Sequence, residues 1–313
     1  AAIAIGQFVR IPIILEITSR YYNRKYDPDV VNQALSFGRV YGTFDGQPNF
    51  FGLLCAMMLI IVIAIWADEE WKRSRRLLFI SAPVLMLGLG LSWSRSAFAC
   101  LLAGIGALVV FSGLRTAAKA IILLLLAGTV IYSLDLVPPI VEARILQLIT
   151  LTDARGGMIY DDRLAYWSAN LRLWREHPWF GVRGIEVPPY DSLYVALLTS
   201  SGGVGTAFFL ASVCGAVASF ARNGQRRPGL RGLSIGLFCA TVGLLVGGVG
   251  APSFFGDRIS ELYWFLAGLV GGLIARSPSA YSPLSGTSGK GHLSVAGWRL
   301  EETADRGRRS GRP

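Results

Sequence analysis

The stretch FFGLLCAMMLIIVIAIWA, residues Phe50 to Ala67, decides the fold. It carries no charge and shows neither a two-residue nor a heptad alternation, so it matches a bilayer-crossing segment rather than one face of a soluble helix. Six further blocks have the same character: Leu77 to Trp93, Ala97 to Gly113, Ala118 to Leu134, Leu193 to Ala221, Gly232 to Ala251 and Ile259 to Ala275. Each holds about 17 residues or more, near the lower length for a span. With 52% hydrophobic and 16% charged residues over 313 positions, a soluble fold is excluded as an expectation. The fold class expected is all-α: a polytopic transmembrane helix bundle of about seven spans.

Nothing before Phe50 has the charged start, apolar stretch and cleavage site of a signal peptide, and the chain opens at Ala1 without an initiator Met. Earlier spans are therefore expected upstream. Ala1 to Thr18 is apolar but holds Arg10, Pro12 and Glu16, which fits the end of a span or an interfacial segment. Cys55, Cys100, Cys214 and Cys239 all fall inside apolar blocks, with no CxxC pair and no adjacent His, and are expected to be packing residues.

The net charge of +10 follows the loops between blocks. Lys72, Arg73, Arg75 and Arg76 form one group, Arg115 and Lys119 another, and Arg222, Arg226, Arg227 and Arg231 a third. The tail adds Arg276, Lys290, Arg299, Arg306, Arg308, Arg309 and Arg312. The positive-inside rule assigns these regions to the cytoplasm, so topology rather than nucleic acid accounts for the charge. The organisation expected is a transmembrane domain over 1–275, including a large helical extracytoplasmic loop over 135–190, and a disordered basic cytoplasmic tail over 276–313. Small residues four apart, Gly232/Gly236, Gly243/Gly247 and Gly268/Gly272, are expected to permit close helix packing.

The unusual polar residues fall on the other, extracytoplasmic side. Arg39-Val-Tyr-Gly-Thr-Phe-Asp-Gly-Gln-Pro-Asn49 precedes a span: Pro48 suits a helix start, Asn49 a cap, and Arg39 either an interfacial anchor or an anion ligand. Ser94-Arg95-Ser96 separates two blocks. Arg95 either snorkels to headgroups or offers an arginine fork to the diphosphate of a lipid carrier.

The stretch from Asp135 to Tyr190 is too long for a structureless connection, and two helices are readable in it. Val141 to Leu151 is amphipathic. Asp161 to Arg175 sets Leu164, Trp167, Leu171 and Trp174 on one stripe, with Asp161 or Asp162 as cap. Such a helix suits the outer leaflet surface, and the same geometry can present Arg163 to a phosphate. His177-Pro178 ends it, and His177 is expected to be structural. Asp191 or Ser192 caps the helix opening at Leu193, a role compatible with general-base chemistry at Asp191.

Together these segments resemble the O-antigen ligase and O-antigen polymerase superfamily. The resemblance rests on Arg39-x-x-Gly-x-Phe with Pro48-Asn49 before a span, Ser-Arg-Ser-Ala97 between spans, and Asp-Arg-x-x-x-Trp167. It continues through His-Pro-Trp-Phe-Gly181, Asp-Ser-x-Tyr194 and Gly202 to Gly205, and covers Arg39 to about Ala275.

It implies a metal-independent glycosyltransferase of the bacterial inner membrane, without a cofactor and without a nucleic-acid partner. Such an enzyme takes a glycan from undecaprenyl diphosphate and joins it to a hydroxyl of lipid A core, as a ligase, or of another lipid-linked glycan, as a polymerase. Arg39, Arg95 and Arg163 then match the arginines at the carrier diphosphate. The ligases' histidine and following asparagine are replaced by Asp191-Ser192, which favours polymerase and makes Asp191 the candidate catalytic residue. The other readings are a transporter of a lipid-linked sugar or other solute and an inactive truncated copy; block centres nearly free of charge weigh against transport.

Overall fold

The computed structural model describes residues 2–22, 40–43, 47–68, 75–113, 118, 122, 158–182, 191–226, 228–255 and 257–276. The chain divides into a unit Ala1–Arg276 and a unit Ser277–Pro313. The second, which is most of the expected tail, lies outside the described residues, as do Arg39 and the expected helix from Val141 to Leu151. All but two residues of the block from Ala118 to Leu134 do so too.

Regular structure among the described residues is entirely helical, without a strand. The helices are α1 (Ala2–Phe8), α2 (Pro12–Tyr22), α3 (Pro48–Ala67), α4 (Arg75–Ser92), α5 (Arg95–Ser112), α6 (Met158–Glu176), α7 (Leu193–Arg226), α8 (Arg231–Gly247) and α9 (Asp257–Arg276), with a 3-10 turn at Pro228–Leu230. Three are long and apolar enough to cross a membrane: α3 with 20 residues, α5 with 18, and the 30 residues Leu193–Arg222 of α7. Residues Arg76–Ser92 of α4 and the whole of α8 are apolar but shorter.

Helix α3 begins at Pro48, whose missing N–H costs nothing in a first turn. The expectation that Asn49 is the cap is corrected, because Asn49 lies inside the helix and the residue before it is Gln47. Thirteen of the residues of α3 are buried, from Pro48 and Phe51 through to Ala64. A helix apolar on all sides in this way belongs at the centre of a bundle.

Its closest neighbour is α8, and glycine makes the closeness. A Cβ at Gly236 would lie 3.1 Å from the Cα of Ile61, and one at Gly247 would lie 2.8 Å from Leu53 Cδ2. On the flank towards α5, a Cβ at Gly243 would meet the Cys100 carbonyl at 2.5 Å. The pairs Gly232/Gly236 and Gly243/Gly247 are therefore packing glycines, as expected. At Gly268 and Gly272 a Cβ would meet nothing within 4 Å, so the third pair is not used for contact among the described residues.

The same contacts fix helix direction. The end of α8 meets the start of α3 through Gly247 and Leu53, and the start of α5 through the Ser96 carbonyl. At the opposite end, Asp68 Oδ2 after α3 accepts from the N–H of Gly232 at 2.8 Å. Helix α4 runs against α3, since Gly52 sits beside Ser92 and Gly88 beside Phe51. Helix α7 opens at the end of α8, where the Leu193 N–H donates to Gly248 O at 2.7 Å. We call the end at which α3, α5, α7 and α9 begin the upper end.

Cys55, Cys100 and Cys239 are buried. Cys214 is exposed on α7, which corrects the expectation that all four pack inside: α7 after Phe209 leaves most of one side uncovered. Residues 2–22 form a broken pair of helices, hinged at Val9–Ile11 with Arg10 at φ 59°.

Gly243→Leu, which drives a side chain into the Cys100 backbone, is expected to lower stability by about 1–3 kcal/mol or to prevent folding. Gly268→Leu, facing open space, is expected to leave it within about 0.5 kcal/mol. Thermal aggregation of the detergent-solubilised protein checks the contrast, and equal midpoints for the two variants would contradict the packing described.

Candidate functional site

Four polar segments distant in sequence converge on the upper end. Residues 40–43 run without helical structure and are held from three sides. The buried amide of Gln7 in α1 accepts from Gly42 N at 2.9 Å and Tyr41 N at 3.3 Å, and donates to Gly42 O at 2.9 Å. Val40 N donates to Leu91 O of α4 at 3.1 Å. From α9, the Arg258 guanidinium donates through Nη1 to the Thr43 carbonyl. A buried primary amide that answers both polar groups of an irregular segment is the arrangement expected where no ladder is present to satisfy them.

The second segment joins α4 to α5 through only Trp93 and Ser94. Trp93 takes φ 50°, a left-handed step that is rare for a bulky residue and reverses the chain within two residues. Ser94 then caps α5, its Oγ accepting from Ala97 N at 3.3 Å and lying 2.9 Å from Ser96 Oγ. Arg95 is thus the first residue of α5, and its side chain is exposed. A cation at a helix start gains nothing from the helix dipole, so neighbours other than its own helix must account for it.

The third segment opens α7. Asp191 is half-buried and Ser192 buried. The Ser192 hydroxyl donates to Gly248 O at 3.4 Å, and Tyr194 OH donates to Leu245 O at 2.7 Å. The fourth is the turn after α8, where Ser253 Oγ donates to Leu244 O at 2.9 Å. This turn joins the other segments: Gly247 and Gly250 adjoin Ser96, and Gly248 adjoins Leu193. The structure thus sets Ser96, next to Arg95, and Leu193, two residues after Asp191, against one glycine-rich helix end.

Arg163 lies within α6, and its side chain is outside the described residues. Helix α6 starts at Met158, so the expectation that Asp161 or Asp162 caps it is corrected: both fall inside the first turns. It ends at Glu176, just before His177-Pro178, and His177 is exposed. Of the expected stripe, Leu164 is exposed while Trp167, Leu171 and Trp174 are partly buried, and Asn170 is fully buried. The stripe is therefore shared between α7 and the outside.

The turn that follows α6 is tied to α7 through backbone groups. Helix α7 is broken at Gly202, with φ 64° and ψ −170°, a combination open only to glycine. Its break leaves the N–H groups of Gly203 and Val204 without partners in their own helix. These donate to Pro178 O at 2.8 Å and Trp179 O at 3.2 Å. In return Val182 N donates to Thr199 O at 2.7 Å, while Thr199 Oγ1, which donates to Val195 O of its own helix at 2.8 Å, lies 3.4 Å from Asn170 O. A Cβ at Gly181 would lie 2.6 Å from the Ser200 carbonyl carbon, so glycine is needed on both sides of the crossing.

Gln7, Trp93 and Arg258 are the residues that sequence reasoning passed over. Gln7 was visible as the one amide in an apolar stretch, and Arg258 as a cation opening an apolar block. Nothing in the sequence signals the backbone twist at Trp93. In comparisons with known proteins, no family model matches the sequence, and no curated protein matches it either.

Gly202→Ala is expected to undock α6 from α7, because its Cβ would strike the Trp179 carbonyl and its φ is strained. Hydrogen exchange should rise across 164–182 and 199–204 while α3 and α8 stay protected. Unchanged exchange in α6 would refute the crossing as its anchor.

Proposed function

We propose that the chain is a multi-pass protein of the bacterial cytoplasmic membrane that transfers a glycan from undecaprenyl diphosphate to an acceptor hydroxyl on the extracytoplasmic side, as a polysaccharide polymerase or an O-antigen ligase. The observation that carries this reading is the meeting of residues 40–43, Trp93–Ser96, Asp191–Tyr194 and Gly247–Arg258 at one end of the bundle. Three of these, residues 40–43, Trp93–Ser96 and Asp191–Tyr194, overlap segments on which the resemblance to the O-antigen ligase and polymerase superfamily rests. Exposed Arg76, Arg222 and Arg231 belong to the opposite end, which the positive-inside rule favours as cytoplasmic. The upper end then faces outwards, and seven spans follow if Ala118–Leu134 is added.

Arg95, with Arg39 and Arg163, holds the carrier diphosphate. In the transfer, the bond between the glycan's anomeric carbon and the diphosphate oxygen breaks while one forms to the acceptor oxygen. The acceptor's proton passes to the Asp191 carboxylate, and undecaprenyl diphosphate leaves with the charge that the arginines stabilise. Asp191 is half-buried, and its neighbour Ser192 meets the end of α8 at the Gly248 carbonyl.

Arg95→Ala and Arg163→Ala are each expected to lower glycan transfer by about 100-fold or more in vesicles loaded with lipid-linked glycan. Asp191→Asn should slow turnover with little change in carrier binding. Gel analysis of chain length and release of undecaprenyl diphosphate measure both. Full transfer by all three variants would sink the reading, and so would movement of the lipid-linked sugar across the vesicle without elongation.

A further inference from the structure

Two of the three most exposed aromatic side chains among the described residues sit side by side in the turn after α6, whose backbone is tied down. Trp179 is 69% exposed and Phe180 73%. Their backbones are bonded to Gly203 and Val204 by way of Pro178 O and Trp179 O, and Trp174 Nε1 donates to Pro178 O at 3.2 Å. A loop tip free to fold its aromatics inward would lower its apolar exposure. This one is held with both rings out, so the surface that covers them lies outside the fold.

Helix lengths locate the turn. Phe209 of α7 meets Phe254 edge-on and stacks on Phe255, at centroid distances of 5.5 and 6.3 Å, and so lies at the upper end. From there to Arg226 α7 rises about 26 Å, which matches the 17-residue α8 packed beside it. Gly202 precedes Phe209 by two turns, so the turn that docks on it is level with or just beyond the upper end. That is the depth of the headgroup layer over a hydrocarbon core of about 30 Å.

The charges nearby fit the same surface. Arg172 and Arg175 are exposed, and helical spacing sets them on the face of α6 away from buried Asn170. Tryptophan, with an apolar body and a polar N–H, is the residue that favours the boundary between lipid and water, and arginine binds lipid phosphates from there.

We propose that the Trp179–Phe180 turn is a membrane-surface anchor, seated in the headgroup layer of the leaflet at the upper end with Arg172 and Arg175 on lipid phosphates. This rests on the chain residing in a membrane, and not on its being a transferase. Through the backbone crossing, the anchor would fix the height of α6, and with it Arg163, over the upper end.

The test uses the full chain in phosphatidylcholine vesicles with and without phosphatidylglycerol. The emission lost on Trp179→Phe isolates this side chain from the other tryptophans. The expected result is quenching of that difference signal by lipids carrying a nitroxide near the carbonyl, with little quenching by iodide in the water. Quenching by iodide alone would overturn the proposal, as would protection from both quenchers, which signals a protein partner over the turn. If Trp179→Phe fails to fold, Phe180→Trp adds a reporter one position along, and its extra emission is judged by the same two outcomes. A chain that did not insert at all would leave every tryptophan untouched by the lipid quencher, so that failure is distinguishable.

Discussion

The close approach of α8 to α3 and α5 is the contact on which the rest of the structure depends. Side chains of ordinary size would hold these axes about 8–10 Å apart. The glycines at 232, 236, 243 and 247 let backbone meet backbone and side-chain stem. In a lipid surrounding, where apolar chains gain little by leaving the solvent, such contact is the main source of helix association. The same glycines settle where α8 ends. Because Gly247, Gly248 and Gly250 lack side chains, Ser96 can rest against one side of that end and Leu193 against the other. The placement of Arg95 and Asp191 thus follows from the packing of their near neighbours Ser96 and Leu193 on the end of α8.

Much of the fold was legible because burial in lipid leaves a coarse signature. Six of the seven apolar blocks coincide with described helices, and the boundaries at Pro48 and His177-Pro178 followed from rules about first turns and prolines, whereas Ser94-Arg95-Ser96 was read as a turn and only Ser94 lies outside the helix. What was not legible depends on partners. Gly232/Gly236 and Gly268/Gly272 have the same spacing, yet only the first pair meets a neighbour. Spacing states that a close approach is possible, while the facing helix decides whether it occurs. The exposure of Cys214 fails for the same reason: apolarity marks a residue as suited to lipid or to protein without distinguishing them.

The candidate site was legible as a set of segments and not as an arrangement. Arg95 and Asp191 could be singled out because charge beside a span is costly and demands a reason. The devices that hold them are backbone features with no compositional trace. The left-handed step at Trp93 is one. The grip of Gln7 on Tyr41 and Gly42 is another, since it joins positions 34 and 35 residues apart.

The crossing of Gly181 and Gly202 shows how a local conflict can couple two elements. A single apolar block from Leu193 to Ala221 predicts one uninterrupted helix, and Gly202 would only weaken it by about 1 kcal/mol. Breaking the helix there leaves two N–H groups unpaired at or near the hydrocarbon, each costing several kcal/mol if nothing accepts from them. The acceptors come from Pro178 and Trp179, and those carbonyls are free only because His177-Pro178 has just ended α6. Neither break is stable alone, whereas together they satisfy each other. The helix that bears Arg163 and the helix that begins beside Asp191 therefore form as one unit. A substitution at either glycine would move both ends of the candidate site while touching neither.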